Sequence, residues 1–228
     1  MSLEVMLKQL SQGMVTSIEI FTLTLVLSLP LGLVVALGRI SKIKPINIFM
    51  RIYISIMRGT PLMLQLLVVY FSPYYVFNIP ITHNYRMYAV IIAFVLNYAA
   101  YFGEIYRGGI ESIPKGQYEA AKVLGYSRSQ TFIKIVLPQV IKRVIPSVTN
   151  EVITLIKDTS LAFSIAVSEM FTVAKAIAAS EKTMVSFAAA GLFYYVFNYF
   201  TSYKNSSTTW SKCITSWGMS SVFFNNRI

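Results

Sequence analysis

The 228-residue sequence contains one cysteine, Cys213, and one histidine, His83. A lone thiol forms neither an internal disulfide nor a thiolate metal cluster. A lone imidazole in the polar loop NIPITHNYRM reads as a solvated side chain, not a metal ligand. Charge is scarce too: 13% of residues are Asp, Glu, Lys or Arg, against roughly 25% in soluble domains. No Gly-x4-Gly-Lys-Ser/Thr phosphate loop occurs, so ATP hydrolysis is not expected of this chain. Acids are few, nine against 20 basic residues, which leaves a formal charge of +11. That excess does not point to nucleic acid, because the basic residues fall in short connections beside apolar runs, where they report topology. The opening MSLEVMLKQLSQG is not basic, and the apolar run after it is too long for a signal-peptide core, so no cleavable signal is expected.

Apolar sequence is abundant, at 55% of residues. The pattern predicts an all-α polytopic membrane protein with about five transmembrane helices, near 14–37, 52–77, 87–106, a long irregular region 145–177, and 184–200. Each approaches or exceeds the roughly 20 residues that cross a bilayer. The first connection holds Arg39, Lys42, Lys44 and Arg51 with no acid. The second holds only Arg86, and the third runs from Arg107 to Arg143 with Lys115, Lys122, Arg128, Lys134 and Lys142 between. The fourth balances Lys175 and Lys182 against Glu169 and Glu181. Positive charge therefore puts the first and third connections in the cytoplasm, the N-terminus outside and the C-terminus inside.

The third connection contains a polar, small-residue stretch, IPKGQYEAAKVLGYSRSQTFIKIVLPQ, at about 114–138. Pro114 suits a first helical turn, Glu119 to Leu124 are compatible with helix, and Gly125 can end it at positive φ. Ser127 is a candidate N-cap for a second helix, which the break at LPQ is expected to end. The result is a helix–turn–helix outside the bilayer. Ala120 and Ala121 leave room for close approach, Val123 and Leu124 supply apolar knobs, and Glu119 with the flanking lysines supplies charge. An ordinary amphipathic cytoplasmic loop fits the composition equally well.

Glu119-Ala120-Ala121, then Gly125, then Ile135-x-Leu137-Pro138 resembles the EAA loop of ABC-importer permeases. In that family the loop is a coupling helix docked in a groove of the cytoplasmic ATPase subunit. MRGTPLMLQL and the runs AYFGEIYRGGIESIPKGQYEAAKVLGYSRSQTF and LPQVIKRVIPSVTNEVITLIKDTSLAFSIAVSEM look like the subfamily for polar amino acids, and the similarity extends over residues 10–200 or so. The resemblance implies a type I importer permease domain over 1–200 and a homo- or heterodimer of permease protomers. It also implies an extracellular or periplasmic amino-acid-binding protein, cytoplasmic ATPase subunits, and a location in the inner or plasma membrane of a prokaryote. ATP and Mg would be bound by the ATPase partner, with no cofactor on this chain and no nucleic acid. The coupling contacts would be Glu119, Ala120, Ala121, Val123, Leu124 and Gly125. The likeness stops after Phe200, where TSYKNSSTTWSKCITSWGMSSVFFNNRI (201–228) is dense in Ser, Thr and Asn. Relatives end in a short Glu/Lys-rich helix. A diverged tail or an altered reading frame near 198–202 accounts for the difference, and the second is preferred.

Two carboxylates stand out inside the membrane, Glu151 and Asp158. An ionised carboxylate at mid-membrane costs at least about 2.5–3.5 kcal/mol, so it has a partner or a wet cavity. On a helix the two lie about 20° apart in azimuth and roughly 10 Å apart along the axis. An α-ammonium could meet one and a cationic side chain the other. Alternatively Lys157 or Arg58 neutralises them internally, and Arg58 could equally steer a cargo carboxylate. Thr60 and Gln65 are the next candidates, because Pro61 removes an N–H and Gly59 permits close backbone approach. Freed backbone groups are tolerated at depth only where they face protein or a cavity; a kink serving packing alone is the competing reading. Tyr98, like Asn97, is a further cavity candidate. The expectation is therefore a transport subunit with no chemistry of its own, coupling ATP hydrolysis by a separate subunit to alternating access. The alternative is a membrane anchor or receptor-like subunit that only docks a cytoplasmic partner.

Overall fold

A computed structural model describes residues 2–82 and 84–206. His83, Cys213 and the segment 207–228, with the proposed altered tail, lie outside the described residues.

Helix α1 is Leu3–Ile40, capped by the Ser2 hydroxyl, which accepts the Val5 N–H at 3.4 Å. It starts about eleven residues before the expected span. That extra length is used for packing: Met6 and Leu10 join Met170, Ala174 and Ile177 of α8 (Met170–Glu181) in one apolar cluster. Farther along, α1 lies on α4 (Tyr85–Glu111) at glycines that face each other. A Cβ on Gly32 would stand 2.7 Å from the Phe102 Cβ, and one on Gly103 would stand 2.6 Å from Val35 Cγ1. Lipid offers no hydrophobic drive between helices, so small residues that let backbones approach supply the van der Waals contact instead.

The expected continuous span at 52–77 is two helices, α2 (Lys44–Gly59) and α3 (Leu62–Phe77), bent by 109°. Thr60 precedes a proline and is driven out of the helical region, to φ −122° and ψ 149°. Pro61, itself extended at ψ 133°, then opens α3. At 16 residues each, α2 and α3 are about 24 Å long and do not cross a 30 Å core singly.

The third connection forms α5 (Lys115–Val123) and α6 (Arg128–Thr131). Gly125 takes φ +78° and closes α5 with a pair of bonds, Tyr126 N–H to Ala121 O at 3.0 Å and Gly125 N–H to Lys122 O at 3.1 Å. Ser127 caps α6 in a reciprocal box with Gln130. The expected break at LPQ is absent. The chain instead widens into a π-helical turn, Phe132–Val136, and continues as α7 (Leu137–Asp158). Pro138 has no N–H to give the turn before it. The wider turn shifts the ladder so that Leu137 N–H reaches Phe132 O, and the Gln139 side chain covers Ile135 O at 2.9 Å.

The irregularity foreseen after 145 is a change of helix type. A 3-10 turn, Thr159–Ile165, follows α7; Ala166 sits at φ +55°, and α8 (Met170–Glu181) departs at 57°. Glu169 is fully buried and caps α8, accepting the N–H groups of Phe171 and Thr172 at 2.7 Å each and the Tyr194 hydroxyl at 3.3 Å from α9 (Val185–Ser206). Among the described residues, α1 and α4 are each long and apolar enough to cross a membrane, and each bent pair is so when taken as one span. With α9 this is an all-α membrane fold of about four to five spans.

Candidate functional site

Where α3 begins, its first turn faces α4 and the end of α7. Between them lies a cavity of about 290 Å³. The break at Thr60–Pro61, with Leu62, forms one wall; Tyr98 and Tyr101 of α4 form a second; Glu151, Thr154 and Asp158 of α7 form the third. Glu151 and Asp158, seven residues apart, thus open into one space, and Thr60 and Tyr98 join them there. Lys157, next to Asp158 in α7, is exposed and acts on that carboxylate from a distance. Neither carboxylate makes an ion pair among the described residues, where the pairs are Arg107 with Glu104 and Arg107 with Glu111. The Tyr98 hydroxyl donates to Asp158 Oδ2 at 2.7 Å, which fixes that carboxylate, whereas Glu151 has no such tether among the described residues.

The α2–α3 break is held by one amide. The Gln65 NH2 donates to Met57 O at 2.9 Å and to the Thr60 hydroxyl at 2.7 Å. Its carbonyl accepts from Asn97 Nδ2 at 2.9 Å, and Asn97 also donates to Met57 O at 3.0 Å. Gln65 therefore acts on the shape of the break and not on the cavity directly. The bend also leaves the N–H groups of Leu62 and Met63 without an acceptor among the described residues, at the positive end of the α3 dipole. Arg58 lies over the Tyr101 ring at 5.2 Å. Gly59 is exposed, with open space around it, so no close approach is made there. Sequence reasoning missed Tyr101 and Thr154. The signal was present: Tyr98/Tyr101 and Glu151/Thr154/Asp158 recur at the three- and four-residue steps that share a helix face.

The second group of predicted residues forms a surface. Val123 is 87% and Leu124 73% exposed at the tip of α5, with Glu119 and Ala120 exposed beside them. Ala121 departs from expectation: at 1% exposure it packs inward and cannot be a docking contact. The bonded turn at Gly125 closes on its own carbonyl, so Ala121 holds the loop's shape. Ile113, Val136, Val140 and Val144 form the apolar seat that fixes this loop against α4 and α7.

A bent-helix membrane bundle, with a polar-lined cavity at its break and an apolar-tipped loop beyond one end, is the build of a permease. The chain belongs to the family of binding-protein-dependent transport system inner membrane components, which it matches over residues 28–203. It is similar to the L-cystine transport system permease protein TcyB of Bacillus subtilis, 36% identical over 82% of this chain and 79% of that protein. It is also similar to the arginine transport system permease protein ArtQ of the same organism, 36% identical over 81% and 84%. Among solved structures, an amino acid ABC transporter crystallised with histidines superposes with a TM-score of 0.78 at 27% identity, covering 95% of this chain and 97% of that one. The protein is thus a multi-pass inner-membrane permease component of an ABC importer. It works with a separate ATPase and a binding protein. That membership decides between importer and passive anchor in favour of the importer.

Proposed function

We propose that the imported cargo is a polar α-amino acid, cationic ones included, and that it rests in the cavity between the α2–α3 break, α4 and α7. One observation carries this reading: two carboxylates without an ion pair among the described residues border the same 290 Å³ space as Leu62 at the start of α3, whose N–H has no acceptor among those residues. An α-amino acid carries both charges on one carbon. Its α-carboxylate suits the Leu62 and Met63 N–H groups, and its α-ammonium suits the oriented Asp158. Glu151, on the longer and untethered side chain, suits a cationic side group. The cystine and arginine permeases among the relatives support the cargo class.

The positive charge of the first and third connections supports a cytoplasmic α5 loop, with the N-terminus outside and the C-terminus inside. Glu119, Ala120, Val123 and Leu124 would then meet the ATPase, Gly125 shaping the turn, and ATP and Mg would be bound there and not on this chain. A second permease protomer, identical or not, would complete the passage, and the binding protein would deliver cargo from outside. Uptake by proteoliposomes containing this chain, its ATPase and its binding protein tests the reading. ATP-dependent accumulation of arginine, lysine, histidine, glutamine or cystine is expected. A transporter that assembles and hydrolyses ATP but moves none of them would overturn the cargo assignment.

A further inference from the structure

The groove between α4 and α7 does not end at the central cavity. One to two turns toward the α5 loop, the same two helices border a second, open cavity of about 390 Å³. Glu104 and Gly108 of α4 and Arg143 and Ser147 of α7 are among its lining residues. The two helices run past each other in opposite directions, so the order Tyr98, Tyr101, Glu104, Gly108 on α4 faces Asp158, Glu151, Ser147, Arg143 on α7. Tyr101 to Gly108 is a rise of roughly 10 Å, so the cavities follow one another along a single track.

Their polar groups match as well. We infer that the second cavity is a release-side site for the backbone of an α-amino acid, with Glu104 receiving the ammonium and Arg143 the carboxylate. This rests on the reading that the cargo is an α-amino acid. Arg143 gives a bond to Ser112 O, and the rest of its five-donor fork has no acceptor among the described residues. Glu104 is held by Arg107 through both oxygens, yet its side chain stays 27% exposed, and each oxygen retains a lone pair. Glu104 on α4 and Arg143 on α7 set an anionic and a cationic group on the two walls. Separated poles of this kind suit a zwitterion better than a ligand with one charge. The floor is open because Gly108 has no side chain; a Cβ there would meet nothing within 4 Å. Next to it, Gly109 is pressed onto α7, where a Cβ would come 2.2 Å from Val144 Cγ1, so the walls are fixed while the floor is vacant. Cargo leaving Asp158 would thus exchange one carboxylate for another without passing through an uncompensated stretch.

Equilibrium binding of radiolabelled L-arginine and, separately, L-glutamine to the purified, assembled transporter tests this. Wild type is expected to bind two molecules per permease chain. Gly108→Leu, which fills the floor, should bind one with the affinity of the central site unchanged. Asp158→Asn should keep the release-side site while weakening the other. Arg143→Gln should weaken the second site about tenfold for arginine and leave agmatine, which lacks the carboxylate, unaffected; this variant decides if Gly108→Leu fails to assemble. One molecule per chain in wild type, or an Arg143→Gln protein indistinguishable from wild type, overturns the second site and leaves the cargo reading standing. No binding of either amino acid overturns both.

Discussion

The two carboxylates of the central cavity should not be interchangeable. Asp158 is held by the Tyr98 hydroxyl at 2.7 Å, near the helix start that offers N–H groups to a carboxylate, whereas Glu151, about two turns away, has no such bond among the described residues. An ammonium resting on a carboxylate makes a charge-assisted hydrogen bond with a net contribution of about 1.5–3 kcal/mol, or roughly 10–150-fold in affinity. Asp158→Asn should therefore raise the half-saturating concentration of arginine and glutamine alike by that factor. Glu151→Gln should do so for arginine and leave glutamine within about threefold, because a neutral side chain has no charge to lose. The assay is initial-rate uptake in proteoliposomes at saturating binding protein, with substrate-stimulated ATP hydrolysis measured in parallel. Comparable losses for both amino acids in Glu151→Gln would refute the division of labour. So would an Asp158→Asn protein that loses arginine transport and keeps glutamine.

Glu119→Lys reverses charge on the exposed face of α5 beside Val123 and Leu124; uptake should fall while ATP hydrolysis persists and cargo binding stays intact, and equal loss of binding would count against a coupling role. Gly125→Ala meets no neighbour within 4 Å, so its cost is that of the φ +78° backbone alone, about 1–2 kcal/mol, read as a lowered melting temperature that Gly125→Asn partly restores. Gly103→Leu drives a side chain into Val35 and should destabilise the α1–α4 pair by about 1–3 kcal/mol, seen as loss of folded protein on thermal size-exclusion. Tyr98→Phe frees Asp158 but no longer orients it, and a rise of a few-fold in half-saturation for every cargo is expected.

Much of this was legible because the membrane enforces simple rules. Apolar length located the helices, and Pro61 located the break, though not its angle. A proline fixes its own φ and that of its neighbour, while a 109° turn depends on Gln65 and Asn97 clasping the corner from different helices. Glu151 and Asp158 were found together because seven residues return to the same helix face. That neither closes an ion pair with Lys157 or Arg58 among the described residues was not legible, since the rotamer of a long side chain leaves no mark in the local pattern. Pro138 misled in the opposite sense: it reads as a stop, and a π turn let the helix pass through. Ala121 misled because two adjacent alanines look alike in sequence, yet the inward side of so short a helix takes only one of them.

That passage through Pro138 has a mechanical meaning. From Arg128 to Asp158 the chain is one helical body, with the loop proposed to meet the ATPase at one end and the two cavity carboxylates near the other. Such a rod behaves as a lever: Arg128 and Glu151 are about 35 Å apart along it. A tilt of about 5° around the cavity would sweep the loop end through about 3 Å. Run backwards, a modest shove at the loop becomes a small, well-geared turn at the carboxylates. Such an arm can bend at two places, the π turn at Phe132–Val136 and the interior Pro146, so the turn reaching the cargo depends on how firmly packing holds those two points.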